Sequence, residues 1–144
     1  MFTMIGCNNN GMSKATEKSV LKYLPGTWKV TKVIDEKGNK TDYKGEAVFV
    51  FGKQESSSDF SQHNSSSLWG YCTITKNEDK ILSNGTWNIE PDEEDKGVLI
   101  YCQKGSSFFS FEGNEFYMIT SIGSSSMRWE DSDNQSGYMF SRVK

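Results

Sequence analysis

The chain has 144 residues, a size that fits one domain with a substantial buried core. Charged residues make up 24% and aromatic residues 13%, which excludes a disordered acidic tail and favours a soluble globular fold. With 16 basic and 19 acidic side chains the formal net charge is −3, so we expect no nucleic-acid partner.

The composition also bears on catalysis. One His and three Cys argue against His-based catalysis and against a zinc site with several ligands. No arrangement of nucleophile, base and orienting group stands out in the sequence. We therefore expect a non-catalytic protein with no metal and no cofactor, acting as a monomer.

The N-terminus indicates where the protein is located. Met4-Ile5-Gly6-Cys7 is followed by a polar run of three Asn, and this resembles the end of a bacterial lipoprotein signal, in which the Cys is acylated. The resemblance implies lipid attachment at Cys7, a location in the bacterial cell envelope (outer membrane or periplasm), and a signal remnant and tether over residues 1–15. Six residues before Cys7 are too few for a complete signal, so the start is truncated or the resemblance is accidental. In the second case Cys7 is an ordinary thiol in a frayed terminus.

One short helix comes first in the predicted order of elements. Val20, Leu21 and Leu24 fall at helical spacing, Thr16 can cap the start, and Pro25 ends the helix. Aromatic and β-branched runs follow, separated by Gly, Asn, Asp and Ser, which is typical of sandwiches and barrels. The predicted strands cover about 27–35, 46–52, 69–76, 81–90, 97–103, 107–112, 115–122, 126–131 and 137–143. Tight turns between several of them favour antiparallel pairing of consecutive strands.

A longer connection interrupts this pattern at residues 54–67, which are rich in serine. A loop of this length is either solvated and disordered or functional. The functional alternative is a lid over a barrel mouth, with Phe60 as its apolar contact.

A family resemblance rests on Gly26-Thr27-Trp28, a Gly-x-Trp that follows the helix and opens the first long strand. This resembles the calycin superfamily, and the chain over about 20–144 is similar to small lipocalin-like lipoproteins of Bacteroidetes. The segments Gly85–Ile89, Phe116–Ile122 and Tyr138–Lys144 agree with that resemblance. It implies an all-β fold over residues 16–144: an antiparallel up-and-down barrel of about eight strands. By the same resemblance, Trp28 plugs one end of the barrel and Arg142 packs over it.

A barrel of eight strands is either filled by side chains or holds one small ligand. Our first hypothesis is a small hydrophobic molecule bound in an apolar pocket. The candidate lining residues are Phe49, Phe51, Phe108, Phe116, Met118 and Phe140; the alternative is that they simply pack the core.

A competing function is a surface interaction module with a filled barrel, which binds glycan or protein through exposed aromatic residues. The candidates for such a platform, if they point outward rather than into the core, are Trp69, Tyr71, Trp87, Tyr101 and Trp129.

The remaining polar candidates are expected to be solvated surface residues with no catalytic or binding role. Arg128 alternates with Met127 and Trp129 and fits a solvated face better than a ligand site. His63 is expected at the surface. The acidic clusters at 90–95 and 130–133 lack the ligand spacing of a calcium loop and read as solvated turns.

Cys72 and Cys102 fall in strands that are separated by another strand. Non-adjacent strands lie roughly 9–10 Å apart, beyond the reach of a disulfide unless the wall bends. We expect two buried free thiols, with a disulfide as the alternative.

Overall fold

A computed structural model of the protein describes residues 11–55, 68–91, 96–131 and 136–143. These residues form one helix and eleven strands. In chain order the elements are β1 (Ser13–Lys14), α1 (Glu17–Tyr23), β2 (Gly26–Ile34), β3 (Lys40–Asp42), β4 (Ala47–Gln54), β5 (Leu68–Lys76), β6 (Asp79–Pro91), β7 (Val98–Lys104), β8 (Ser107–Phe108), β9 (Phe116–Ile122), β10 (Ser126–Glu130) and β11 (Gly137–Val143).

Eight of the strands close into an antiparallel barrel. Their order is β2-β4-β5-β6-β7-β9-β10-β11, and β11 pairs with β2 to complete the ring. The other three strands are short and attach to the wall: β1 to β9, β3 to β2 and β8 to β7. The predicted all-β barrel of about eight antiparallel strands with a short N-terminal helix is therefore confirmed.

The helix forms where the sequence places it and covers one end of the barrel. Thr16 accepts a hydrogen bond from the backbone N–H of Ser19, and the Ser19 hydroxyl accepts one from the backbone N–H of Thr16, which makes a capping box. Val20 and Leu24 are fully buried in the same cluster as the barrel interior. The helix is thus held by its apolar side as well as by its cap.

The segment before the helix also belongs to the barrel. Ser13 and Lys14 pair with Ile122 and Ser121 of β9, and the N–H of Ala15 donates to the backbone oxygen of Thr120 at 3.0 Å. The chain just before the helix is therefore attached to β9.

The interior is packed with aromatic rings. On β4, alternation turns Ala47, Phe49 and Phe51 inward, and Val50 is exposed on the other face. The ring of Phe49 lies in the middle, with its centroid 5.1–5.7 Å from those of four other rings: Phe51, Phe111, Trp129 and Phe140.

One region departs from the predicted strands. A strand was expected over 107–112, but β8 is only two residues long and leads into a tight turn. Phe111 and Asn114 form a bridge across Glu112 and Gly113, both of which have positive φ (52° and 87°). Positive φ at both central positions is the geometry of a type I′ turn.

Candidate functional site

Trp28 lies at the helix end of the barrel, where Leu24 ends the helix. Its side chain is fully buried, and its indole N–H donates to the backbone oxygen of Leu24 at 2.9 Å. The guanidinium carbon of Arg142 lies 4.4 Å from the centroid of the Trp28 ring. The two residues expected to form the barrel plug are therefore in direct contact, in a cation–π arrangement.

Arg142 also ties three chain segments together. Its Nε donates to the backbone oxygen of Ser124 at 2.6 Å, its Nη1 to that of Pro25 at 3.0 Å, and its Nη2 to that of Tyr23. Gly26 leaves room for the guanidinium, since a Cβ at this position would collide with Nη1. The φ of Gly26 is +139°, which L side chains rarely adopt.

The opposite end, which we call the mouth, is closed by Phe111. This side chain is only 3% exposed, and its ring lies against Phe49 and Tyr138, with centroid distances of 5.1 and 5.3 Å. The hydroxyl of Tyr117 donates to the backbone oxygen of Phe111 at 2.7 Å. The role of Phe111 is not evident from the sequence, although Glu112-Gly113 in an aromatic run is a turn signal.

A carboxylate secures the turn that carries the stopper. Glu112 accepts from the Lys76 ammonium at 2.5 Å and from the Tyr43 hydroxyl at 2.9 Å. The hydrogen bond from Lys76 is the main cause that lowers the pKa of Glu112. Burial raises the pKa of the tyrosines at the mouth, Tyr43, Tyr117 and Tyr138, so they remain protonated at neutral pH.

Three of the six predicted pocket residues lie inside the barrel. Phe49, Phe51 and Phe140 are at most 2% exposed and belong to the interior cluster. A cavity of about 10 Å³ lies among the rings at the mouth end and is lined by Phe49, Phe111 and Trp129, among others. That is about the space of a single water. Trp129 lines this cavity, and its indole N–H is buried with no hydrogen-bond partner among the described residues.

The other three predicted pocket residues lie on the outside of the wall. On β9, Tyr117 and Ile119 belong to the interior cluster, so Phe116 and Met118 face outward by alternation. Phe108 on β8 is 45% exposed. Phe108, Phe116 and Met118 therefore do not line an interior pocket, contrary to the expectation from the sequence. For Phe116 and Met118 the reason is that β9 is apolar on both faces, so alternation alone does not identify the inward one.

Two groups of aromatic rings occupy the outer wall. Tyr101, Phe108 and Phe116 form one of them, the outer aromatic cluster, with ring centroids 5.3–5.5 Å apart. Trp69 and Tyr71 form the other, at 5.3 Å; Trp69 is buried, whereas Tyr71 is 52% exposed. The two remaining platform candidates, Trp87 and Trp129, lie in the interior cluster.

Beside Tyr71 the outer wall has a groove of about 210 Å³, the Tyr71 groove. The described residues that line it are Val50, Gly52, Tyr71, Cys72, Thr73 and Asn84. The pairing of β5 with β6 shifts register between Cys72 and Ile74, where Asn84 takes a φ of +57°. This irregularity is a β-bulge, a feature that re-aims side chains.

The other predicted groups have ordinary surroundings. Cys72 and Cys102 are both free and buried, and a hydrogen bond between the two thiols and burial raise the pKa of Cys102. Arg128 forms an ion pair with Glu130 at 3.0 Å, on the outer face of β10. Cys7, His63, Phe60 and the acidic residues 92–95 lie outside the described residues.

Within the described ranges, no group of three or more His, Cys, Asp or Glu side chains could hold a metal ion. The one helix among them is also too short to cross a bilayer. Protein-family models, curated proteins and solved structures give no match to this chain. The class of protein is therefore defined by its architecture alone: a closed eight-stranded antiparallel barrel, compatible with a lipocalin-like fold.

Proposed function

We propose that this chain is a non-catalytic surface-binding protein of lipocalin-like type, whose filled barrel is a rigid support for binding groups on its outer wall. One observation carries the proposal: the centre of the barrel is packed with rings, whereas Tyr71 and Phe108 present theirs to solvent. Exposed aromatic rings held on a rigid sheet are effective contact surfaces because little side-chain entropy is lost on binding.

The proposal keeps the envelope location implied by the resemblance of the N-terminus to a lipoprotein signal. A lipid on Cys7 anchors the barrel to a membrane and leaves the outer wall free to meet glycan or protein. Mass spectrometry of the protein isolated from its native cells tests this point. An acyl mass on Cys7 supports the anchor, and an unmodified thiol refutes it.

A second candidate, binding of a small hydrophobic molecule inside the barrel, is favoured by one observation. The buried indole N–H of Trp129 has no hydrogen-bond partner in the part of the chain that the structure describes, and Trp129 lines the small cavity together with Phe111. A ligand with an acceptor atom could satisfy that donor. It could enter only after Phe111 leaves the mouth.

Nuclear magnetic resonance of the ¹⁵N-labelled chain separates the two candidates. Oleate is added as the probe of the interior, and native mass spectrometry of the same mixture reports a complex of one protein with one oleate. We expect no such complex and no shift of the Phe49 and Trp129 amides. A one-to-one complex that shifts these amides would refute the filled barrel and establish the carrier.

A further inference from the structure

The Tyr71 groove has the form of a site for one small neutral molecule. Its volume of about 210 Å³ is below the ~300–1,000 Å³ of pockets for drug-sized ligands. It is open to solvent beside Tyr71, a residue that is 52% exposed, so a ligand can reach it without any rearrangement of the barrel.

The described lining of the groove is uncharged and combines apolar surface with hydrogen-bonding groups. Val50 and the Tyr71 ring offer apolar surface, whereas Thr73 and Asn84 offer a hydroxyl and a carboxamide, each able to donate and accept. None of the described lining residues is charged. Such a site discriminates against an ion, which would lose its hydration without gaining a counter-charge.

The backbone beside the groove is held by close contacts. Gly52 lies opposite Tyr71, and a Cβ at this glycine would come 3.3 Å from the backbone oxygen of Tyr71. The indole N–H of Trp87, from inside the barrel, donates to the backbone oxygen of Gly52 at 2.9 Å and holds this strand in place. Trp69 packs edge-on against the Tyr71 ring and orients it.

The backbone conformation of Asn84 gives a second indication that the Tyr71 groove is a binding site. It has a φ of +57°, in the left-handed region, on a strand whose pairing shifts register at this point. Left-handed backbone and β-bulges both concentrate where a side chain is directed toward a function. Here the bulged residue is one of the two hydrogen-bonding side chains that line the groove.

We propose that the Tyr71 groove binds one pyranose ring of a neutral glycan. The apolar C–H face of the sugar packs on the Tyr71 ring, and its hydroxyl groups exchange hydrogen bonds with Thr73 and Asn84. A pyranose matches the lining because it combines an apolar face with a rim of neutral donors and acceptors. This inference rests on the proposed outer-wall function and names its ligand class.

The test titrates the ¹⁵N-labelled full chain with three probes: methyl β-D-glucopyranoside, methyl β-D-galactopyranoside and methyl α-D-mannopyranoside. We expect at least one of them to shift the amides of Tyr71, Thr73 and Asn84 in a saturable way, with a dissociation constant in the millimolar range. Tyr71→Ala should weaken that binding about tenfold or more, which corresponds to a single lost anchor contact.

Two further variants remove a hydrogen-bonding group of the groove without disturbing the fold. Thr73→Val keeps the shape and strand preference while removing the hydroxyl, and Asn84→Gly keeps the left-handed φ while removing the amide. Both should retain the spectrum of the folded barrel and bind the sugar more weakly. Val143→Ala, at an exposed position of β11 that belongs to neither aromatic group, is the control and should bind as the unchanged chain does.

The outcomes also separate this inference from the function on which it rests. Sugar-induced shifts at Tyr101, Phe108 and Phe116 would overturn the groove assignment but leave outer-wall binding in place. The absence of any shift with all three glycosides, or equal binding by Tyr71→Ala, would overturn the groove as a sugar site. An oleate complex inside the barrel would instead remove the outer-wall function itself.

Discussion

Arg142→Met tests whether the guanidinium closes the helix end of the barrel. Arg142 is half-buried, donates to three backbone oxygens and stacks on Trp28. With about 1 kcal/mol for each hydrogen bond and about 0.5–1 kcal/mol for the cation–π contact, the substitution should cost about 3–4 kcal/mol. At about 4 °C per kcal/mol for a chain of this size, the melting temperature should fall by about 12 °C or more.

The other arginine of the chain, Arg128, is the matched control. Among the described residues Arg128 forms an ion pair with Glu130, and both side chains are more than a quarter exposed, so Arg128→Met should cost about 1 kcal/mol or less. Arg142→Lys keeps the charge, but one ammonium cannot reach three carbonyls, so it should restore less than half of the loss.

Urea unfolding followed by tryptophan fluorescence measures the free energy of unfolding of all three variants. A fall in the midpoint at unchanged slope reports a change of stability alone. If Arg142→Met and Arg128→Met unfold at the same urea concentration, Arg142 does not close the barrel and the reasoning is refuted.

Three further predictions concern both ends of the barrel. Gly26→Ala should destabilise by about 1–3 kcal/mol, because φ is +139° and the new Cβ displaces Arg142; thermal unfolding measures this, and an unchanged midpoint contradicts it. Glu112→Gln should be less stable than the unchanged chain at pH 7, and the difference should shrink between about pH 5 and 3: the folded pKa of Glu112 lies below its unfolded value, so its contribution is present above the unfolded pKa and lost as the pH falls. A stability difference that does not change with pH would show that the ionised carboxylate of Glu112 does not secure the turn that carries Phe111. Phe111→Ala should cost about 3–5 kcal/mol, whereas Phe108→Ala should stay within about 1 kcal/mol; equal losses would show that Phe111 is not the stopper.

The sequence predicts the features that depend on local patterns. The helix follows from its apolar spacing and from Thr16, which can cap it, and the contact of Trp28 with Arg142 follows from the resemblance carried by Gly-x-Trp. On β4 the aromatic rings of Phe49 and Phe51 share one face and the smaller Val50 lies on the other, and the face with the rings is the inward one, as expected.

The features that the sequence could not predict depend on packing between distant segments. On β9, Phe116 and Met118 compete with Tyr117 and Ile119 for the inward face, and only the contacts of Tyr117 with Phe111 and Trp129 decide between them. The Tyr71 groove likewise needs β4, β5 and the bulge of β6 side by side. No spacing within one strand carries that information.

The closure of both ends sets different energetic conditions for the two candidate functions. Burying a phenylalanine ring contributes about 1.5–3 kcal/mol, so a barrel with Phe111 swung out is populated at only about 1–10% from this contribution alone. The apparent affinity of an interior ligand is reduced by the same fraction, and the bonds of Glu112 reduce it further. A ligand at Tyr71 meets no such penalty, because the ring and the groove beside it are already exposed. For equal intrinsic contacts, the closed barrel therefore favours binding on its outer wall.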